Sequence, residues 1–188
     1  MQRPMTCLFL LCCLAMVSTL EAGALSAQES GSQANASAAE TPRRGPSGLP
    51  LPRFVTFQAA EVNLRTGPGV RYPIDWVYRR MGLPVQIIDE FETWRRVRDR
   101  DGTVGWVHGS MLSGRRNVVV TGNIQALFDD ATKHAGILAY LEPGFLARLE
   151  NCPGPWCEIV AQGPQGQRYR GWVRREALWG ILDGEVVE

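Results

Sequence analysis

Histidine and cysteine are scarce in this sequence. The chain of 188 residues holds 2 His and 5 Cys, which leaves little material for a metal cluster or a nucleophile–base pair. Long apolar runs are missing as well. The longest, Cys7–Val17, has 11 residues, against the ~20 that a membrane-spanning helix requires. Neither charge sign dominates: the net charge is +1, which gives no bulk electrostatic footprint for nucleic acid. No long 3.6-period apolar pattern runs through the chain. The one helical candidate, 129–141, is interrupted by Gly136 and lacks an apolar face.

Chemical motifs are missing in the same way. Gly109-Ser110-Met111-Leu112-Ser113 is no nucleophile elbow, which reads GxSxG. Gly67-Pro68-Gly69 lacks the lysine and the following helix of a phosphate loop. Asp129 and Asp130 are adjacent, so as strand neighbours they would point to opposite faces. His108 and His134 lie far apart in the chain. These absences predict no enzyme, no cofactor and no metal. What is present is globular: 45% hydrophobic residues, 21% charged residues and 6 Trp exclude wholesale disorder.

The first residues read as an address. Arg3 precedes the apolar run, small residues follow it, and Ala22-Gly23-Ala24 places small side chains at −3 and −1. This is the layout of a secretory signal peptide over 1–24, with Ala27 as a second cleavage point. Cys12 follows Leu11 rather than a small residue, so lipidation is not expected. The mature chain is therefore expected to be periplasmic or secreted, with no stable membrane insertion. Cleavage removes Cys7, Cys12 and Cys13 and leaves Cys152 and Cys157. Two cysteines in an exported chain predict one disulfide. Four residues including two prolines separate them, so the pair reads as a local staple rather than a redox CxxC centre. Residues 25–53 contain Ala, Ser, Gly, Gln and Pro and no aromatic. Such a segment is expected to be a disordered linker.

The remainder repeats itself. Val62, Tyr78, Gly82 and Trp94 recur 62 residues later as Ile124, Tyr140, Gly144 and Trp156. Gly105-Trp106-Val107 and Leu112 recur 66 residues later as Gly171-Trp172-Val173 and Leu178. The second copy thus carries a four-residue insertion, placed at the loop-like Gly163-Pro164-Gln165-Gly166. Each copy reads as short strands. Leu83–Ile88, Trp94–Arg98 and Thr103–His108 are strand-like runs, and Asp101-Gly102 marks a hairpin.

The opening Val62-Asn63-Leu64-Arg65-Thr66-Gly67-Pro68-Gly69 and the closing Gly105-Trp106-Val107 resemble the two ends of the bacterial SH3-like (SH3b) domain pattern. The second copy matches in its later half only, with Ile124-Gln125-Ala126-Leu127-Phe128 where the first has VNLRT. The layout resembles secreted tandem SH3-domain proteins of Gram-negative bacteria. The resemblance implies an all-β chain with two tandem small SH3-like barrels, at 54–116 and 117–188. By offset, Cys152 and Cys157 correspond to Glu90 and Arg95, so one hairpin neck is expected to hold a disulfide and the other an ion pair.

Strand alternation sorts the first copy. If Val97 and Val107 fill the core, Trp94, Arg96 and Trp106 face outward, and Tyr72 can join them from its loop. These four are the candidate ligand-binding residues. The alternative is that the aromatics plug the barrel ends. Residues 54–116 carry 10 Arg and 7 acids (+3), while 117–188 carry 6 Lys or Arg and 9 acids (−3). A basic first copy suits an anionic wall polymer. Domains of the resembled family are often attached to cell-wall hydrolases. The expected function is therefore a non-catalytic exported module that binds cell-wall peptide or glycan, peptidoglycan. The alternative is a protein–protein adaptor that engages a cell-envelope protein.

Overall fold

The computed structural model describes residues 43–132 and 134–188. The expected signal peptide and residues 25–42 of the expected linker lie outside the described residues. The described chain is all-β. It opens with a short hairpin, β1 (Arg43–Arg44) and β2 (Pro50–Leu51). The first barrel follows: β3 (Arg53–Phe57), β4 (Val62–Arg65), β5 (Ile74–Tyr78), β6 (Pro84–Phe91), β7 (Trp94–Arg98), β8 (Val104–His108) and β9 (Leu112–Ser113). The second comprises β10 (Asn117–Val120), β11 (Gln125–Phe128), β12 (Ile137–Leu141), β13 (Leu146–Asn151), β14 (Trp156–Gln162), β15 (Arg168–Arg174) and β16 (Leu178–Trp179). Strand order is β5-β4-β8-β7-β6-β3-β9 in one sheet and β12-β11-β15-β14-β13-β10-β16 in the other. The two orders are identical strand for strand. The segment weighed as a helix thus supplies the strand β12.

The repeat is correct in kind but slips by one residue in its first half. Val62 and Leu64 are buried in β4, and their partners on β11 are Gln125 and Leu127, an offset of 63. Ile124 is 61% exposed and Tyr140 68% exposed, whereas Val62 and Tyr78 are buried. Side-chain direction alternates along a strand, so a one-residue error exchanges the two faces. The offset returns to 62 at Gly82 and Gly144, each of which donates its N–H to the end of the first long strand, at Phe57 O and Val120 O.

Each core is an alternating apolar stripe. Phe57, Leu64, Ile87, Val97 and Val107 are fully buried in the first barrel, as are Val120, Leu127, Ile159 and Val173 in the second. Barrels of ~60 residues bury little surface per residue, and both recruit chain from outside the repeat to close one end. In the first, residues 43–53 are ordered rather than linker. Arg43 pairs with Leu51 and Arg44 with Pro50, and the Leu51 side chain enters the core. The composition of the segment concealed one well-placed leucine and an ionic anchor.

That anchor is Glu90, whose side chain is 1% exposed. It accepts from Arg53 Nη2 at 2.6 Å, from Ser47 N–H and Ser47 O–H at 2.9 Å each, and lies 3.3 Å from Arg95 Nε. Gly45 passes so close that a Cβ there would sit 2.4 Å from Glu90 Oε2. In the second barrel Cys152 replaces Glu90 and is bonded to Cys157. The backbone of Cys152 pairs with Val187. Arg116, which occupies the position of Arg53, turns to Glu185 with a contact of 2.6 Å. Arg175 binds this end together by donating to Cys152 O, Gly154 O, Leu182 O and Glu185 O.

Burial pushes the Glu90 and Glu185 carboxyls upward. The bonds from Ser47 and Arg53 to the former, and from Arg116 and Leu182 to the latter, outweigh it and hold both below the usual glutamate range. Both groups bind a proton more readily in the unfolded chain. Their contribution is therefore complete above the ordinary glutamate range and lost as pH falls below it, through the depressed native values. Glu90→Ala is expected to lower stability by ~3–5 kcal/mol, because it leaves two largely buried arginines uncompensated. Urea denaturation followed by tryptophan fluorescence checks this. The gap between wild type and Glu90→Gln should be widest at neutral pH and shrink in that acid window. Replacing both Cys152 and Cys157 with Ser is expected to cost about 2 kcal/mol, the entropic value for so short a loop.

Candidate functional site

The outward face of the first barrel is built by cross-strand register. Arg65 of β4 lies opposite Trp106 of β8, and Trp106 lies opposite Arg96 of β7. Paired residues share a face of the sheet, so two arginines flank one indole. Trp106 is half-buried and Arg96 exposed. Among the described residues nothing pairs with the Arg96 guanidinium by hydrogen bond or ion contact.

A loop is held to this row through Arg65. Gly67-Pro68-Gly69 makes a tight turn closed by Gly69 N–H to Gly67 O at 3.0 Å and Tyr72 N–H to Gly69 O at 3.2 Å. The Tyr72 ring covers Gly67 so closely that a Cβ there would lie 2.5 Å from the ring. Arg65 ties the loop down, donating from Nη1 to Tyr72 O at 2.8 Å and to Val70 O at 3.2 Å. Arg71 sits over the same ring at 5.1 Å. Arg65 thus joins the candidate residues although sequence reading did not single it out. The signal was available, since Val62 and Leu64 alternate inward and the pleat sends Arg65 outward.

Trp94 takes a different place. It pairs with His108 two residues along the same face, edge to face at 5.4 Å, and is only 9% exposed. It is the buried member of the same sheet face. Of the four candidates, register places Arg96, Trp106 and the buried Trp94 on one face, and Arg65 donates to the carbonyl of Tyr72.

The same face of the second barrel has other chemistry. Phe128 stands for Arg65, and Glu158 for Arg96, on either side of Trp172. Glu158 is held by Arg170 in a two-pronged contact at 2.6 and 3.1 Å. Trp156 is covered by Phe128, edge on at 5.6 Å, and by the Arg174 guanidinium at 4.1 Å. The face that is open and basic in one barrel is occupied by its own side chains in the other. Among the described residues no group of three or more His, Cys, Asp or Glu is placed to hold a metal ion. Nor is any helix among them long and apolar enough to cross a membrane.

The sequence model of the bacterial SH3 domain matches twice, over residues 58–114 and 121–180. The chain belongs to the bacterial SH3 domain family. No curated protein matches it. Solved structures to which it is similar include NlpC2 from Trichomonas vaginalis, at 12% identity with 68% of this chain and 48% of that one covered and a TM-score of 0.32. NlpC1 from the same organism gives 12%, 68%, 45% and 0.31. An NlpC/P60 family protein from Bacillus cereus ATCC 10987 gives 14%, 67%, 55% and 0.30. The chain spans about half the length of these structures.

The packing of Tyr72 on Gly67 is directly testable. Gly67→Ala is expected to displace the ring and destabilise the first SH3 unit by ~1–3 kcal/mol through overpacking. The checks are thermal denaturation and the shift of the Tyr72 ring resonances in NMR.

Proposed function

We propose that this protein is an exported, non-catalytic binding module that recognises cell-wall peptide or glycan, peptidoglycan, through the outer face of its first SH3 unit. The observation that carries the reading is the row Arg65–Trp106–Arg96, tied through Arg65 to Tyr72, with the Arg96 guanidinium exposed and without a partner among the described residues. A planar indole between two cations suits a ligand with carboxylates and a flat or apolar body. Peptidoglycan supplies both, as peptide carboxylates and sugar rings. The second unit carries Glu158 at the matching position, already neutralised by Arg170, so binding is assigned to the first unit alone. Export through the amino-terminal segment and a periplasmic or secreted location belong to the same proposal. The disulfide between Cys152 and Cys157 supports it, because such bonds persist in oxidising compartments.

The test is co-sedimentation of the purified protein with intact peptidoglycan sacculi. The wild type is expected in the pellet, with binding that weakens as salt rises. Arg96→Glu copies the second unit and is expected to reduce sedimentation about tenfold or more while circular dichroism stays unchanged. A wild type that remains in the supernatant would remove wall binding and turn the search to envelope protein partners.

A further inference from the structure

The second unit leaves a cluster of large apolar side chains uncovered on two neighbouring strands. Ile124 stands at the entry to β11, and Ile137, Leu138 and Tyr140 stand on β12, all of them exposed. Leu127 and Leu141 point into the core. The pleat therefore sends Leu138 and Tyr140 to the outer face, with Ala126 opposite Tyr140. β12 is also the terminal strand of its sheet. Beyond its ladder with β11, the backbone of Ile137–Leu141 makes no hydrogen bond among the described residues. An apolar face and an open row of backbone groups thus meet on one strand, and each favours a partner over water.

The matching strand of the first unit is guarded. β5 carries Asp75 between its exposed Ile74 and Trp76, and Arg79 and Arg80 follow it directly. Charges on an edge deter a further strand. β12, Ile137-Leu138-Ala139-Tyr140-Leu141, holds neither a charge nor a proline.

The sequence of β12 also selects its partner. An antiparallel edge is extended by an antiparallel strand, and a second copy of the same strand supplies one when a two-fold axis stands normal to the sheet. Such an axis keeps every side chain on its own face, so paired residues must both point outward or both inward. In the register centred on Ala139, Leu138 of each copy lies against Tyr140 of the other. The registers on either side are poorer. One sets Tyr140 against Gly136, and the other sets Leu138 against the exposed Glu142. The strand is therefore complementary to itself in one register. With no charge on the strand and a net charge of +1 on the chain, little repulsion opposes that pairing.

We propose that this protein pairs with a second copy of itself through β12, which joins two seven-stranded sheets across a two-fold axis. The inference does not depend on wall binding, because the Arg96 face belongs to the first unit.

The test is sedimentation velocity of the purified full chain, from micromolar to near-millimolar concentration. The mass is expected to rise from one copy to two. Leu138→Lys with Tyr140→Lys sets lysine against lysine and should weaken the dimer about tenfold or more. Both side chains are exposed, so circular dichroism should not change. Leu138→Lys with Tyr140→Glu alters the same two positions but sets each lysine against a glutamate, and should restore association. Arg96→Glu should leave the dimer intact, which separates this surface from the wall-binding face. A mass of one copy at every concentration would overturn the proposal. So would a double-lysine variant that associates like wild type, or a lysine–glutamate variant as weak as the double lysine.

Discussion

A barrel this small has an end that its own strands do not seal, and the structure is organised around how that end is closed. In the first SH3 unit a single carboxylate does it. Glu90 is withdrawn from solvent, and two arginines and a serine converge on it. A lone buried charge is untenable, so the hairpin that carries Ser47, the strand that carries Arg53 and the neck that carries Arg95 are fixed relative to one another. The hairpin in turn delivers Leu51 to the core. The second unit meets the same need covalently. Cys152 stands where Glu90 stood, and the freed arginine position, Arg116, holds the segment around Glu185 instead. One architectural demand thus has two chemical answers within a single chain.

The same divergence marks the outer faces. Identical strand order puts an indole at the centre of each. Its neighbours decide what the face does. On the first, Arg65 is turned to the Tyr72 loop and Arg96 is exposed, while on the second Phe128 and Arg174 cover Trp156 and Arg170 holds Glu158. The inner faces, filled by Val, Leu and Ile, constrain neither choice. The two units thus share buried apolar stripes and differ at the surface.

Much of the fold was legible from the residues. Gly105-Trp106-Val107 and its repeat, the Asp101-Gly102 hairpin and the alternation around Val97 and Val107 each act locally, so each is written in adjacent residues. The disulfide followed from the two cysteines left after export, and the opposing ion pair from one offset. What escaped depends on contacts across the chain. Residues 43–53 look like linker by composition, and only Glu90, some forty residues away, makes them structural. The slip between Ile124 and Gln125 escaped because both registers place apolar residues at plausible spacing, and burial alone decides between them. Arg96, Trp106 and Tyr72 were legible as outward residues. The burial of Trp94 against His108, and the part of Arg65 in securing the Tyr72 loop, needed the sheet register.

The plugs have a consequence for where either unit begins and ends. The regions that match the family pattern, 58–114 and 121–180, contain neither the Leu51 and Ser47 that close the first barrel nor the Glu185 and Val187 that close the second. A fragment excised at those pattern boundaries would have a core open to water at one end. The packed cores reach further, back to Leu51 in the first case and forward to Val187 in the second. The portable unit in this chain is the repeat together with its own stopper, and the stopper follows no shared sequence rule.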